Sequence, residues 1–168
     1  MDQTIKQLEE LYAQMGPKLL AYFRRHHAIA GTAEDLVQDT FVRAIRNFDR
    51  VRESISPRAY LFGIARNVCL DALRRHRPLE ELTDERAPES NPPDDARVEQ
   101  MRAVIAELPP QHREPLLLKL QQELSYDEIA EVLGVPVGTV RSRLHYAVAS
   151  LRQALNPPMN ESIAKHPL

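Results

Sequence analysis

The stretch GVPVGTVRSRLHYAVASLRQAL, residues 134–155, carries Arg141 and Arg143 near the start of an amphipathic helix. An arginine guanidinium can bind DNA phosphates or make a paired hydrogen bond to guanine in the major groove. One face of the predicted helix is apolar, through Val137, Val140, Leu144, Ala147 and Leu151. The opposite face carries Gly138, Arg141, Ser142, His145 and Tyr146. This pattern indicates a helix that packs with one side and contacts DNA with the other.

The residues before this helix have the spacing of a helix-turn-helix. Ala130 is small, which lets a second helix cross over it, and Gly134 suits the turn that ends the first helix. Val140 and Leu144 then hold the second helix against the first. Such a motif places the N-terminal half of its second helix in a major groove. A generic helical hairpin is the alternative, and the full set of small, turn and apolar positions favours DNA binding.

A second basic helix is predicted to begin with Ser56 as its cap and Pro57 in its first turn. Its buried stripe is predicted to be Leu61, Ile64, Ala65, Val68 and Ala72. The outer face carries Arg66, Asn67 and Arg74, which suits contact with nucleic acid. An ordinary solvated face is an equally good interpretation of these three residues taken alone.

A third candidate surface lies on a helix predicted to begin at Thr32, with Asp35 completing a variant of the capping box. Its predicted apolar face is Val37, Phe41, Ala44, Ile45 and Phe48. The outer surface mixes Leu36, Thr40 and Val42 with charged residues. Exposed apolar side chains among charges favour a protein-binding surface, although single exposed apolar residues are common.

Nothing in the sequence indicates catalysis, a cofactor or a metal site. His26 and His27 lack cysteine or acidic partners at metal-ligand spacing, so we interpret them as surface histidines. Cys69 is the only cysteine, which excludes an internal disulfide, and it is predicted to be a small buried hydrophobe. No apolar run approaches the about 20 residues that cross a membrane, and the polar N-terminal residues do not suit a secretory signal. We therefore expect a cytoplasmic protein that is not an enzyme.

Charge is unevenly distributed along the 168 residues, although the net charge is only −2. Residues 57–77 carry five arginines and one acid, and residues 136–155 carry three arginines and no acid. Residues 78–100 instead carry eight acids and two arginines, together with four prolines. That composition predicts an extended, flexible segment. Local basic faces can bind phosphate even when the total charge is negative.

We expect an all-α fold with two small helical domains, the second a helix-turn-helix. The predicted boundaries are 1–77 for the first domain, 78–97 for a flexible acidic Pro-rich linker, 98–155 for the second domain and 156–168 for a disordered tail. In the first domain, helices are predicted over 4–15 and 17–28, with Pro17 opening the second. In the second domain, helices are predicted over 98–107 and 110–123, before a short helix that begins with the capping box of Ser125 and Glu128.

Two blocks of the chain resemble bacterial RNA polymerase sigma factors of the extracytoplasmic-function (ECF) group. The first block is AEDLVQDTFVRAIRNFDRV followed by SPRAYLFGIARNVCLDALRR. The second block, LPPQHREPLLLKLQQELSYDEIAEVLGVPVGTVRSRLHYAVASLRQAL, resembles the family's region four. The resemblance implies a protein that binds core RNA polymerase, recognises the −10 and −35 promoter elements and assists DNA melting.

The resemblance also implies roles for particular residues. The family's DLVQDTF segment docks on the clamp-helix coiled coil of the largest polymerase subunit, which here implicates Asp35, Leu36, Gln38, Asp39 and Val42. The next loop and basic helix correspond to the part that captures a flipped base of the −10 element. The implied −10 residues are Arg52, Ser54, Ser56, Arg58, Tyr60, Arg66, Asn67 and Arg74. The implied −35 residues are Thr139, Arg141, Ser142, Arg143, His145 and Tyr146.

The sequence departs from the family pattern in two places. Tyr60 stands where members commonly carry tryptophan, and Tyr146 and Val148 replace two arginines of the recognition helix. A paired arginine–guanine contact is worth about 1–3 kcal/mol. The −35 preference is therefore expected to differ from that of the family or to be weaker.

The main alternative function is that of a helix-turn-helix transcription regulator with an N-terminal dimerisation or sensor module. Such a module needs neither the DLVQDTF block nor the basic helix after Pro57, which favours the sigma factor. Many ECF sigma factors are held by an anti-sigma partner, and the sequence leaves open whether this chain has one. The acidic linker could lie against the basic helices of the free protein, which predicts weak DNA binding without polymerase.

Overall fold

The structure is a computed structural model that describes residues 2–25, 32–76 and 96–156. The described residues form eight α-helices and no strand, which confirms the all-α expectation for them. The helices are α1 (Asp2–Arg25), α2 (Ala33–Arg46), α3 (Phe48–Glu53), α4 (Pro57–His76), α5 (Ala96–Glu107), α6 (Pro110–Gln122), α7 (Tyr126–Leu133) and α8 (Val137–Leu155). None of these helices is long and apolar enough to cross a membrane. Outside the described residues lie His26, His27, Arg77, almost all of the predicted linker and all of the predicted tail after Asn156.

Helix α1 runs unbroken through Pro17, so the predicted helix start at this residue is wrong. A proline inside a helix removes one backbone hydrogen bond and costs about 3 kcal/mol. The helix continues because one apolar stripe crosses the proline, with Met15 before it and Leu19 and Tyr22 after it, all buried. Burying each such side chain is worth about 1.5–3 kcal/mol, and three of them together outweigh the cost of the proline.

Helix α2 begins as predicted. The Thr32 hydroxyl accepts a hydrogen bond from the Asp35 backbone N–H at 3.2 Å, which caps the first turn. The helix ends at Asn47, whose backbone angles (φ −125°, ψ 37°) are not helical. The sequence predicted that Phe48 continues the apolar face of α2. Phe48 instead begins the separate short helix α3.

Two side chains of α2 lie on the opposite side from the predicted one. The buried residues Val37, Phe41 and Ala44 agree with the prediction, but Ile45 is half exposed and Thr40 is fully buried. The Thr40 hydroxyl donates to the Leu36 carbonyl oxygen at 2.8 Å, so its polar group is satisfied inside the core. Hydropathy alone does not predict the burial of Thr40, because its hydroxyl finds a hydrogen-bond acceptor only once the helix has formed.

Helix α4 lies at the centre of the molecule and packs against α1, α2, α3 and α7. The Ser56 hydroxyl accepts a hydrogen bond from the Ala59 N–H at 3.0 Å, and Pro57 is the first helical residue, as predicted. The predicted stripe is buried at Leu61, Ala65, Val68 and Ala72 and partly buried at Ile64. Phe62 is fully buried as well, which the single-stripe prediction missed because α4 is covered on more than one side.

Helices α5 to α8 form the second helical group, in which α8 packs against the other three. The predicted capping box of α7 is complete: the Ser125 hydroxyl accepts from the Glu128 N–H, and Glu128 Oε2 accepts from the Ser125 N–H. Gly134 ends α7 with a φ of 65°, in the left-handed region, as its position predicted. Helices α7 and α8 thus form a helix-turn-helix, with Val140, Leu144 and Ala147 buried.

The second helical group packs against the first through α4 and α7, a contact that the sequence did not predict. At this contact a Cβ added to Gly63 would lie 3.9 Å from the Val132 Cα, so the two helix backbones approach closely. Buried side chains of both groups belong to one continuous core.

Gly134→Ala should destabilise the protein by about 1 kcal/mol, because an L-residue with a Cβ is strained at the positive φ that ends α7. Gly138→Ala is the matched control: Gly138 is the second residue of α8 with nothing within 4 Å of an added Cβ and no positive φ, so alanine should not destabilise the protein. Chemical denaturation followed by circular dichroism measures both changes. A Gly134→Ala variant as stable as the parent would contradict this account of the turn.

Candidate nucleic-acid interface

Two polar residues at the start of α4 face the second helical group. The Ser56 hydroxyl donates to Glu128 Oε1 at 2.7 Å, and Arg58 Nη2 donates to Glu128 Oε2 at 2.9 Å. The same Arg58 nitrogen lies 3.4 Å from the backbone carbonyl oxygen of Glu123. Both residues were predicted to contact the −10 element, and in this structure a carboxylate of α7 occupies their donors.

Arg66 lies about two helical turns after Arg58 in α4 and makes a similar contact with α6. Its Nε donates to Glu114 Oε1 at 2.6 Å, and its Nη2 donates to Glu114 Oε2 at 3.3 Å. This hydrogen bonding raises the pKa of Arg66 above its ordinary value. The pair is about two-thirds buried and joins the two helical groups by a charge-assisted, two-pronged contact.

Glu128 is a buried carboxylate, with only 8% of its surface exposed. Burial disfavours its charge, but hydrogen bonds from Arg58, the Ser125 backbone and Ser56 outweigh burial and lower its pKa to about 2. Glu128 is therefore ionised at neutral pH and binds donors from both helical groups. The same group closes the capping box of its own helix and holds α4.

A second carboxylate of α7, Glu131, lies against the loop that precedes α4. Burial raises its pKa, the charge of Glu128 adds to that rise, and a backbone hydrogen bond from Ile55 opposes it. Its Oε2 is buried without a hydrogen-bond partner. Acidic groups of α7 thus converge on the segment that was predicted to receive a −10 base.

The other predicted −10 residues lie elsewhere on the surface. Arg52, Asn67 and Arg74 are exposed, and Ser54 and Tyr60 are half-buried. The Ser54 hydroxyl donates to a backbone carbonyl oxygen of α3 at 2.7 Å. The predicted set is therefore divided between residues that contact the second helical group and residues that face solvent.

The predicted −35 residues lie on the accessible side of α8. Arg141, Ser142, His145 and Tyr146 are exposed, and Thr139 and Arg143 are half-buried at the margins. The Ser142 hydroxyl donates to the Thr139 carbonyl oxygen at 3.0 Å. The apolar side of the same helix is buried, so the polar side is presented outward over the first turns after Pro136.

The structure adds His112 to this surface, a residue that the sequence analysis missed. The His112 ring, in α6, stacks on the Tyr146 ring with centroids 5.6 Å apart and planes inclined by 19°. His145 meets the edge of the same tyrosine ring at a centroid distance of 6.0 Å. Since 34 positions separate His112 from Tyr146 along the chain, no local pattern could have indicated this contact.

The predicted polymerase-binding residues occupy the outer side of α2. Asp35, Gln38 and Val42 are exposed, and Leu36 is half-buried against the core. Ile45 extends this stripe, since it follows Val42 by about one helical turn and is more than half exposed. Two apolar side chains in contact with water are thus aligned with acidic and amide groups.

Asp39 is held at the edge of this stripe by an ion-pair network. Arg43 Nη2 lies 3.1 Å from Asp39 Oδ2, and Arg43 Nη1 lies 2.8 Å from Asp71 Oδ2 in α4. Hydrogen bonding to Arg43 lowers the pKa of Asp71. The network links α2 to α4 beside the exposed stripe.

Metal and thiol chemistry find no support among the described residues. No group of three or more histidine, cysteine or acidic side chains in ranges 2–25, 32–76 and 96–156 could hold a metal ion. Cys69 is buried as predicted, and burial raises the pKa of its thiol to about 11. A protonated, buried thiol is a packing residue and not a nucleophile.

Comparison with known families agrees with this geometry. The model of sigma-70 region 2 matches residues 11–78, and the model of sigma-70 region 4 matches residues 98–151. The chain belongs to the ECF sigma factors. It is therefore a sigma factor that directs transcription from promoters, and helices α7 and α8 are the helix-turn-helix of its region 4.

Relatives of this sigma factor match it along most of their length. The chain is 36% identical over 156 residues to the ECF RNA polymerase sigma factor SigL of Mycobacterium tuberculosis, covering 88% of each chain. It is 34% identical over 166 residues to the RNA polymerase sigma factor YlaC of Bacillus subtilis, covering 92% of this chain and 95% of that one. Its structure is similar to that of the sigma factor RpoE from Bartonella quintana, solved in complex with the anti-sigma factor NepR. The TM-score is 0.67 at 25% identity, covering 91% of this chain and 99% of that chain.

The sigma factor should lose stability as pH falls from about 4.5 towards 2. The pKa of Glu128 is lower in the folded protein (about 2) than its ordinary 4.5, so its contribution is complete above the ordinary value and disappears as pH falls through the folded value. The full difference corresponds to roughly 3 kcal/mol. Urea denaturation at a series of pH values measures it.

Glu128→Gln should flatten this acid-side slope, because glutamine keeps the capping hydrogen bond but does not titrate. Glu99→Gln is the control, since Glu99 is an exposed acid of α5 and should leave the slope unchanged. Equal slopes in the parent and the Glu128→Gln variant would assign the acid sensitivity to other groups.

Proposed function

We propose that this sigma factor uses three separate surfaces: the exposed stripe of α2 for core RNA polymerase, the start of α4 for the −10 element and the polar side of α8 for the −35 element. The observation that carries the proposal is that one chain combines an exposed apolar–acidic stripe with two basic helical faces. The predicted boundaries of region 2 (1–77), linker (78–97) and region 4 (98–155) are part of this proposal.

The stripe of α2 is suited to a helical protein partner. Val42 and Ile45 offer apolar area to the centre of a contact, while Asp35 and Gln38 offer polar groups beside it. Interfaces of stable complexes combine such an apolar centre with a polar rim. Leu36 is half-buried beside the stripe and Asp39 is paired with Arg43 at its edge, and both belong to the proposed docking surface.

The start of α4 is suited to the melted −10 element. Receiving a flipped base requires a stacking surface and hydroxyl groups to bind its edge, and flipping costs a few kcal/mol. Tyr60 supplies a ring, and Ser54 and Ser56 supply hydroxyls. Arginines on either side bind phosphates, and Arg52 of α3 and Arg74 near the end of α4 are exposed for that purpose.

The polar side of α8 is suited to duplex DNA. Arg141 and Ser142 project from its first turns, where a recognition helix meets base edges. Tyr146, with His112 stacked on it, forms an aromatic surface where family members commonly carry arginine. We infer that the −35 preference of this protein depends on that aromatic pair.

We infer that the polymerase supplies all bond-making chemistry, that the sigma factor is not itself an enzyme and that it acts in the cytoplasm. An anti-sigma factor is a proposed additional partner. The support for it is the similarity to RpoE of Bartonella quintana, which was solved with such a protein.

Val42→Arg should weaken binding to core RNA polymerase at least about tenfold, because a charge in the apolar centre of a contact is left unpaired. The measurement is run-off transcription with core polymerase on DNA from upstream of the protein's own gene, together with a binding titration on the polymerase. Leu120→Arg is the matched control, since Leu120 is an equally exposed apolar residue on α6.

Equal loss in both variants would show a general effect of the added charge. Full activity of the Val42→Arg variant would mean that another surface docks on the polymerase. Failure of the parent protein to support run-off transcription with core polymerase would contradict the proposed function itself.

Tyr146→Arg should change the ranking of −35 sequences by about 1–3 kcal/mol, in favour of sites with guanine at the contacted position. Gln153→Arg adds the same charge near the exposed end of α8, and it should strengthen binding to all sequences alike. A library of −35 variants in run-off transcription measures the ranking. An unchanged ranking for Tyr146→Arg would show that this position does not contact bases.

A further inference from the structure

We propose that His112 of α6 is a positioning residue for promoter recognition: it holds the Tyr146 ring of α8 so that this ring contacts the C5-methyl group of one thymine in the −35 element. The proposal rests on the assignment of the −35 element to the polar side of α8. It adds the base that the aromatic pair recognises and a second helix that takes part in recognising it.

The first observation is that the Tyr146 ring is held by other side chains although it lies at the surface. The residue is 60% exposed. The His112 ring lies nearly parallel to the tyrosine ring, with centroids 5.6 Å apart and planes inclined by 19°, and His145 meets the edge of the same ring. Contacts from two helices thus limit the rotation of the ring. A side chain that is ordered in advance loses less conformational entropy when it binds a partner.

The second observation is that the exposed stripe around Tyr146 is uncharged. Ser142, Tyr146 and Ala149 are four and three residues apart, so they share one face of α8, and all three are exposed. None of them carries a positive charge that could neutralise a phosphate. The Ser142 hydroxyl already donates to the Thr139 carbonyl oxygen at 3.0 Å, which leaves its oxygen as an acceptor. This stripe is therefore suited to the edge of a base and not to the backbone of DNA.

The neighbouring stripe of α8 has a different character. Arg141 and His145 are one helical turn apart and exposed, and the guanidinium of Arg141 suits a phosphate or the edge of a guanine. Tyr146 lacks such a paired donor. We therefore expect the two stripes to make different contacts, with the charged stripe bound to phosphates or guanine and the Tyr146 stripe bound to an apolar group.

Thymine offers the group that fits the Tyr146 stripe. In the major groove each thymine presents its C5-methyl group beside the O4 acceptor, so an apolar ring with a hydroxyl donor can contact both. Helical side chains point back towards the N-terminus of their helix. The long side chain of Tyr146, in the third turn of α8, is thereby directed towards the first turns, which meet base edges in a helix-turn-helix.

The place of His112 in the fold separates recognition from folding. His112 lies in the first turn of α6 and is only half-buried, at the margin where α6 packs against α8. Substitutions at such margins have small effects on stability, in contrast to substitutions in a core. Removing the His112 ring should therefore free the Tyr146 ring to rotate while the helix-turn-helix remains folded.

Replacement of single thymines by uracil tests the proposal, because uracil pairs with adenine as thymine does but lacks the C5-methyl group. A promoter library randomised in the −35 region is first selected with the parent sigma factor on core RNA polymerase. Each thymine of the best −35 sequence, on either strand, is then replaced by uracil, and the two DNAs compete for the holoenzyme. One position should lose affinity by about fourfold, the factor expected for one buried methyl group.

Variants of the aromatic pair show which side chains contact that methyl group. Tyr146→Ala and His112→Ala should reduce the uracil effect to less than about 1.5-fold, whereas His112→Phe, which can still stack, should keep it. Gln111→Ala is the matched control, since Gln111 is an exposed neighbour in α6 and should also keep the effect. Circular dichroism checks that the variants are folded. If His112→Ala is not, His112→Leu takes its place, because leucine fills the space without a planar ring.

Each outcome decides a separate point. A selected −35 sequence without thymine, or one with no uracil effect at any thymine, would overturn the methyl contact. A uracil effect that survives Tyr146→Ala would assign the methyl group to another residue, and one that survives only His112→Ala would remove the positioning role of His112. A parent holoenzyme that selects no −35 sequence would contradict the proposed function, and this inference with it.

Discussion

One carboxylate, that of Glu128, joins the local folding of the helix-turn-helix to the arrangement of the whole molecule. A carboxylate on a side chain that is about nine-tenths buried must have hydrogen-bond donors around it, because desolvating an unpaired charge costs several kcal/mol. Its donors are the Ser125 N–H in its own helix and Ser56 and Arg58 in α4. The contact between region 2 and region 4 therefore uses a residue that the helix already needs for its cap.

The local features of this fold could be predicted from the sequence, because each depends on residues a few positions apart. Thr32 and Ser125 as caps and Gly134 as the turn residue are of this kind, and all three are confirmed. The predictions that failed concern residues whose structure depends on partners far away in the sequence. Helix α1 continues through Pro17 because its apolar stripe is buried on both sides of this residue and the helix packs against α2 and α4, and hydropathy at positions 15–22 does not contain that information.

In the candidate site, too, the sequence predicted local features but not contacts between distant residues. Sequence motifs identified the family and the helices on which contacts lie, since the polar and apolar sides of a helix follow from its period. They did not show what each polar side chain contacts. Arg66 and Asn67 are neighbours with the same prediction, yet Arg66 binds Glu114 and Asn67 faces solvent. The stacking of His112 on Tyr146 joins two helices of region 4, and it could not be predicted from the sequence either.

The positions of the charged residues in the fold explain how a DNA-binding protein can have a net charge of −2. A protein with two freely exposed basic faces would bind any DNA it met, because phosphate contacts carry no sequence information. Arg58 and Arg66 are paired with acids of the second helical group, which offsets their charge at one face, while the outer stripe of α2 is accessible. Binding to polymerase can then position both DNA surfaces together, so that neither needs high affinity by itself. On this view the acids of α6 and α7 contribute to specificity as well, since they limit the charge that those arginines offer to any phosphate.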